Sequence, residues 1–204
     1  MNIILSTTNP SKAEQIKAMF RNPLISVQIL KEAGIEGEAI EDGGTLQENA
    51  LKKALFAYEN KKDPGSWTMA DDTGIFINAL NGEPGVKSAR WAGENATTEE
   101  IANYCLKRLE NEKDRSATFK TAVALISPTG EQYFFDGEAK GSVLDHAKAK
   151  TQPKMPYSPL FMPEGHDKVW AEMTVDEENA VSHRGKAFRQ VVKFLNNLSN
   201  KINS

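Results

Sequence analysis

The chain has 204 residues, 39% hydrophobic and 26% charged, with a formal net charge of −3. That is long enough for a well-filled core, and the composition excludes a disordered or collagen-like chain. The acidic balance, and the lack of a basic stripe interleaved with aromatics, disfavour a nucleic-acid polymer as partner.

Asn2 to Ser6 reads as a short buried strand. Asn9 and Pro10 follow as a helix start, with Asn as N-cap and Pro at the first helical position. Ile16, Met19 and Phe20 supply the apolar face of that helix. A strand-to-helix junction aims free backbone N–H groups and the positive end of the helix dipole at one spot. The hydroxyls of Thr7, Thr8 and Ser11 and the Lys12 ammonium would complete a phosphate cradle there. The plainer alternative is capping by Asn9, with Lys12 in solvent.

Thr45 to Glu48 is a capping-box pattern opening a helix in which Leu46, Ala50, Ala54 and Ala57 share a face. Glu48 has its task in that cap. Glu41, before the Gly43-Gly44 turn, has none, which makes it the better candidate metal ligand. Lys53 lies one turn beyond Glu48 and points either at a phosphate or at solvent.

Trp67 to Ala70 is predicted as a strand delivering Asp71 and Asp72 at its end, followed by Thr73 and Gly74. Adjacent carboxylates repel and resist burial unless something positive is near. Mg²⁺ suits them, being a hard ion that takes oxygen ligands and bridges phosphates. One carboxylate could hold the metal while the other takes a proton from water. The competing reading is a solvated acidic turn with Gly74 as its turn residue.

Thr97 to Glu100 is a further capping box, with Ile101, Tyr104, Cys105, Arg108 and Leu109 at helical spacing behind it. Cys105 is the only cysteine, so neither an intramolecular disulfide nor a cysteine metal cluster is available; a reducing compartment is expected. Nothing adjacent would activate its thiol, and it reads as a core or half-buried residue.

From Ala117 to Ser127 the pattern changes to period two. Pro128-Thr129-Gly130 is a turn, Gln132 to Phe135 a partner strand and Gly141 to Leu144 a third. The last helix is predicted to begin at Ser182, with Ala187, Val191, Leu195 and Leu198 on one face. His183 and Arg184 then oppose the dipole at its N-terminus, a local rule broken without structural gain that hints at function. An Arg fork can read a purine carbonyl or hold phosphate. His146 and His166 lack ligand spacing and read as surface residues. No apolar run is long enough for a signal peptide or membrane span, so a cytoplasmic chain with no membrane partner is expected. Alternating helices and strands, then consecutive antiparallel strands, predict a mixed α/β protein with a long sheet and a cleft between two lobes.

Taken together these segments resemble the inosine triphosphate pyrophosphatase family, also called the Ham1 or non-canonical purine nucleotide pyrophosphatases. The resemblance rests on Thr7 to Lys12, Glu41, Gln47 to Ala50 with Lys53, and Ala70 to Gly74. It continues through Ala79 to Gly82, Pro84-Gly85, Ser88 to Arg90, Ala92-Gly93, Ala171 to Met173 and Ser182 to Gly185. It implies one ITPase-like domain over residues 1–204, an anticodon-like two-lobed α/β fold around a nucleotide cleft, usually a homodimer. It implies hydrolysis of ITP, dITP or XTP to the monophosphate and pyrophosphate, a house-cleaning role. Thr7, Thr8, Asn9, Ser11 and Lys12 would hold phosphates with help from Lys53 and Thr73. Glu41, Asp72 and Asp71 would engage Mg²⁺, and Asp72, with Asp71 beside it, would activate water.

The base end departs from the family. Its Phe-Gly-Tyr/Trp-Asp-Pro run is here Met155-Pro156-Tyr157-Ser158-Pro159, and a Lys five residues before the His is Glu178. His183 and Arg184 remain. The departure is either drift or altered base selectivity, in which Glu178 would accept from an exocyclic amine. Two rivals follow: the same reaction on another nucleotide, or a nucleotide-binding regulator that no longer turns over.

Overall fold

The computed structural model describes residues 1–202. In chain order the elements are β1 (Asn2–Leu5), α1 (Pro10–Lys17), β2 (Ser26–Ile29), α2 (Leu46–Asn60), β3 (Trp67–Ile77) and β4 (Pro84–Gly85). Then come α3 (Thr98–Arg108), β5 (Ser116–Ile126), β6 (Gln132–Val143), β7 (Phe161–Pro163), α4 (Val175–Val181) and α5 (His183–Ile202). The strands form one mixed sheet in the order β2-β1-β3-β5-β6-β7, with β4 paired to β3. β1 runs parallel to β2 and β3, and the other pairings are antiparallel.

Successive residues of a strand face opposite sides of the sheet. Met69, Val123 and Leu125 therefore pack with Ile3 and Leu5 against Ala187, Phe188, Val191 and Leu195 of α5. Ala70, Ala122 and Ala124 point the other way, against Ala50 and Ala54 of α2. Further along β3 and β5, Ile75, Ile77 and Phe119 pack with Ile101 and Cys105 of α3, with Leu109 at its C-cap and with Trp170. Each fully buried Leu, Ile or Phe in these groups contributes about 1.5–3 kcal/mol.

Thr45 and Thr97 cap α2 and α3 with complete capping boxes, and Asn9 caps α1 by accepting from the Lys12 N–H. Three predicted details differ, and one helix was not predicted. Helix α1 stops at Lys17, and Met19 and Phe20 lie beyond it in tight turns bonded to Ile16 and Lys17, yet still pack on the core. β3 does not end at Ala70 but runs to Ile77, because β5 pairs with it from Thr68 to Ile77. Gln132 to Phe135 and Gly141 to Leu144 are not two strands: β6 runs unbroken from Gln132 to Val143. Thr174 caps α4, a separate short helix. Its Thr-x-x-Glu pattern is the same signal that marks α2 and α3.

Candidate active site

On one edge of β3, pairing with β1 ends at Leu5↔Met69, and pairing with β4 begins only at Ile75↔Gly85. Residues 70–74 therefore border a gap in the sheet, although β5 continues beside them on the other edge. Asp71, Asp72 and Thr73 lie in that gap and line a cavity of about 560 Å³. Gly74 is not a turn residue. It sits mid-strand, where a Cβ would overlap the Gly85 carbonyl oxygen.

Strand alternation sends the two aspartates to different partners. Asp71, on the α1 and α5 side, lies 3.1 Å from Lys12 Nζ and 3.3 Å from Arg184 Nε, and accepts from the Thr73 hydroxyl. Burial alone would raise its carboxyl, but Lys12, Arg184 and Lys53 outweigh it and hold Asp71 ionised far below the carboxylate range. Asp72, on the α2 side, accepts from Lys53 Nζ at 2.9 Å and Asn49 Nδ2 at 3.2 Å. There burial wins and raises the carboxyl, against the pull of Lys53 and Lys12. Lys53 also reaches Glu41 at 3.1 Å. Burial opposes its charge, yet Asp72, Glu41 and Asp71 hold its ammonium above the usual lysine value. Lys12, with Lys53 and Arg184 adding to the burial penalty, falls below it despite Asp71.

The inner wall of the cavity is aromatic. The His183 ring stacks on Phe119 and lies against Trp170, both at 4.9 Å between centroids. Burial holds the imidazole neutral, and neither of its nitrogens has a hydrogen-bond partner; nor has Trp170 Nε1. Gly185 lets α5 start this close to α4, since a Cβ there would overlap the Asn179 carbonyl oxygen. Ser182 accepts from the Gly185 N–H, the N-cap bond read from the sequence.

Most of the residues expected at the site meet at this cavity. Thr7, Thr8, Asn9, Lys12, Glu41, Lys53, Asp71, Asp72, Thr73, Met155, Tyr157, Ser158, His183 and Arg184 all line it. Some are already engaged: the Tyr157 hydroxyl donates to the Ser88 carbonyl at 2.9 Å, and Ser158 Oγ donates to the Met155 carbonyl at 2.9 Å. Ser11 and Glu178 do not join the wall. Ser11 Oγ instead donates to the Pro153 carbonyl. Glu178 is buried, with Oε1 unpaired and its carboxyl raised by burial against the pull of Arg184. Its carboxyl is not among the groups that line the cavity. Asp71, expected among the metal ligands, instead faces two cations.

Sequence reasoning gave no role to Asn49 or Arg90, though both fall in motif segments. Asn49 joins Asp72 to the Gly43 N–H, and Arg90 Nη2 donates to the Glu41 carbonyl at 3.0 Å, so the two together hold the Glu41 loop over the gap. His146 and His166 are exposed, and Cys105 is a buried thiol pushed up to about 12.

An α/β sheet whose gap gathers carboxylates crossed by lysines is a phosphate-handling architecture. The chain belongs to the Ham1 family, whose model matches residues 3–194. It is 40% identical over 197 residues to a dITP/XTP pyrophosphatase of Caldanaerobacter subterraneus subsp. tengcongensis, covering 96% of each chain. Its fold superposes on a HAM1 protein from Coxiella burnetii with a TM-score of 0.82 at 33% identity, over 97% of this chain and 99% of that one. The Staphylococcus aureus Ham1 protein gives 0.80 at 30% identity, with the same coverage. No helix among the described residues is long and apolar enough to cross a membrane.

Proposed function

We propose that the chain hydrolyses non-canonical purine nucleoside triphosphates, dITP, ITP and XTP, to the monophosphate and pyrophosphate, in the cytoplasm and as a homodimer whose two-lobed subunits each close on one nucleotide. The observation that carries the reading is the sheet gap, where Asp72 sits beside Lys53, Glu41 and Asn49 and opens on the cavity shared with Lys12. The relatives named as dITP/XTP pyrophosphatases supply the substrate class.

Glu41 and Asp72 suit Mg²⁺. Their carboxylates already converge on one cation, the Lys53 ammonium, at 3.1 and 2.9 Å. Among the described residues no group of three His, Cys, Asp or Glu side chains is placed for a metal. Mg²⁺ is usually held by one or two carboxylates, with water and substrate phosphates completing its shell. When bound, the ion would polarise the phosphates and neutralise charge on the leaving group. Asp72 takes the proton of the attacking water; the water oxygen bonds to the α-phosphorus, and the bond to the bridging oxygen breaks. The electron pair leaves with pyrophosphate, where Lys12 and Lys53 offset the developing charge. Asp71 touches no substrate in this reading and positions Lys12 and Arg184. His183 and Trp170, with unmet hydrogen-bonding capacity, face the base.

The deciding experiment is pyrophosphate release from ribo- and deoxynucleoside triphosphates with Mg²⁺. Preference for ITP and XTP upholds the reading. A chain that binds them without release is a regulator instead. One observation favours altered selectivity as a second reading: half-buried Met155 and buried Pro156, which has no N–H, line the cavity where the family carries Phe and Gly.

A further inference from the structure

We propose that Lys154 is a substrate-binding residue whose ammonium takes an oxyanion of the triphosphate held by the Thr7–Lys12 loop. The inference rests on the triphosphate reading above. Gln152, Pro153, Lys154 and Met155 form a tight turn closed by the Met155 N–H donating to the Gln152 carbonyl at 3.0 Å. Pro153 suits the second position. Lys154, third, has φ of +56°, a left-handed conformation in which glycine or asparagine is the stable choice and a long side chain is strained. A strained residue persists only where its surroundings hold it, and such residues gather at functional sites.

The surroundings hold this one. Asn9 Nδ2 donates to the Lys154 carbonyl, and Ser11 Oγ to the Pro153 carbonyl, both at 3.2 Å. The turn is thus fastened to the start of α1. Its side chain lines the cavity, and Nζ reaches only neutral oxygens, Thr8 Oγ1 at 3.3 Å and the Thr8 carbonyl at 3.5 Å. Lys12 and Lys53 each have a carboxylate within ion-pair distance. Lys154 has none among the described residues. The Glu38 carboxylate accepts from the Thr8 hydroxyl at 3.0 Å rather than pairing with Lys154 directly. An ammonium with no carboxylate at ion-pair distance, brought at a cost in backbone strain to the loop that begins the phosphate cradle, matches the oxyanions of a triphosphate. An uncharged base offers it no counter-charge.

The turn itself prefers glycine, which sets the test. Lys154→Gly relieves the strain and removes the cation; Lys154→Met keeps the strain and removes the cation; Lys154→Arg keeps both. Pyrophosphate release is followed against ITP concentration at saturating Mg²⁺, with thermal unfolding of each variant. Losing one charge-assisted hydrogen bond should raise KM about tenfold in the Gly and Met variants, with kcat within about twofold. The Arg variant should stay near wild type, and the Gly variant should melt no lower. KM values within about twofold of wild type in both the Gly and Met variants would overturn the proposal. If the unmutated chain releases no pyrophosphate from any nucleotide, the parent reading fails separately. Titration with ITP and Mg²⁺ then reads the same loss, or its absence, as a change in Kd.

Discussion

The two ends of the cavity solve opposite electrostatic problems. Around the aspartate pair the charges satisfy one another: Lys12 and Arg184 on Asp71, Lys53 on Asp72 and Glu41, with Asn49 closing the set; Lys154, at the rim, is the exception. At the aromatic end Tyr157 and Ser158 are paired, but three buried polar atoms are not: both His183 nitrogens and Trp170 Nε1. A charge needs a partner before it can be buried at all, whereas an unpaired neutral group costs only about 1–3 kcal/mol. The phosphate end is therefore assembled in the free chain, and the base end leaves capacity that a ligand would use. Changes at the first should read out in turnover and metal demand, and changes at the second in affinity and base choice.

The largest effect is expected from Asp72→Asn, which removes the base and leaves the side-chain shape. Turnover at saturating Mg²⁺ should fall about 10²–10⁴-fold. A variant keeping more than about a tenth of the rate would show that another group takes the proton. Next is Glu41→Gln, which leaves the Arg90 contact to the Glu41 carbonyl in place. The Mg²⁺ concentration for half-maximal rate should rise about tenfold while the saturated rate changes little. A lowered rate with unchanged metal demand would take Glu41 out of the metal shell.

His183→Phe probes the base end while keeping the stack on Phe119. KM for ITP should rise about tenfold with a smaller change in kcat. The same variant carries a pH signature. Folded His183 is held neutral well below its ordinary value, so the unfolded chain binds a proton that the folded chain refuses. Its contribution favours folding above about pH 6.5 and is lost as pH falls below it, by up to about 1.4 kcal/mol per pH unit. Asp72 and Glu178, both raised by burial, work in the opposite sense on acidification. Melting of the native chain should thus drop more between pH 7.5 and 5.5 than that of the variant (values chosen about one unit either side of free imidazole). Equal slopes would mean that His183 is not buried neutral. The smallest effect is expected from Glu178→Gln, since Glu178 lies outside the cavity wall. Preference for ITP over adenosine triphosphate should shift less than about threefold. A larger shift would put Glu178 back among the groups that read the base.

Much of the secondary structure was legible in the sequence because caps and periodicity are local. Asn9, Thr45 and Thr97 mark their helices with side-chain bonds spanning three residues, and the period-two run of β5 marks a strand whatever pairs with it. Lys12, Lys53, Glu41 and the aspartate pair were singled out there as well, and all of them line the same cavity.

What only the tertiary structure decided is where those charges point. β3 looks finished at Ala70 when read alone. Pairing with β5, some fifty residues later, carries it to Ile77, while the end of β1 leaves one edge open. The alternation of that continued strand then gives Asp71 to Arg184, 113 residues away, and Asp72 to Asn49 and Lys53. Glu178, which the sequence offers as a base reader, is buried outside the cavity lining, and Lys154, to which the sequence gave no role, is fastened to Asn9. Propensity and capping act within a turn or two of chain, so sequence determines them. Sheet edges, helix contacts and the partners of buried charges are set by long-range pairing, so sequence alone leaves them open.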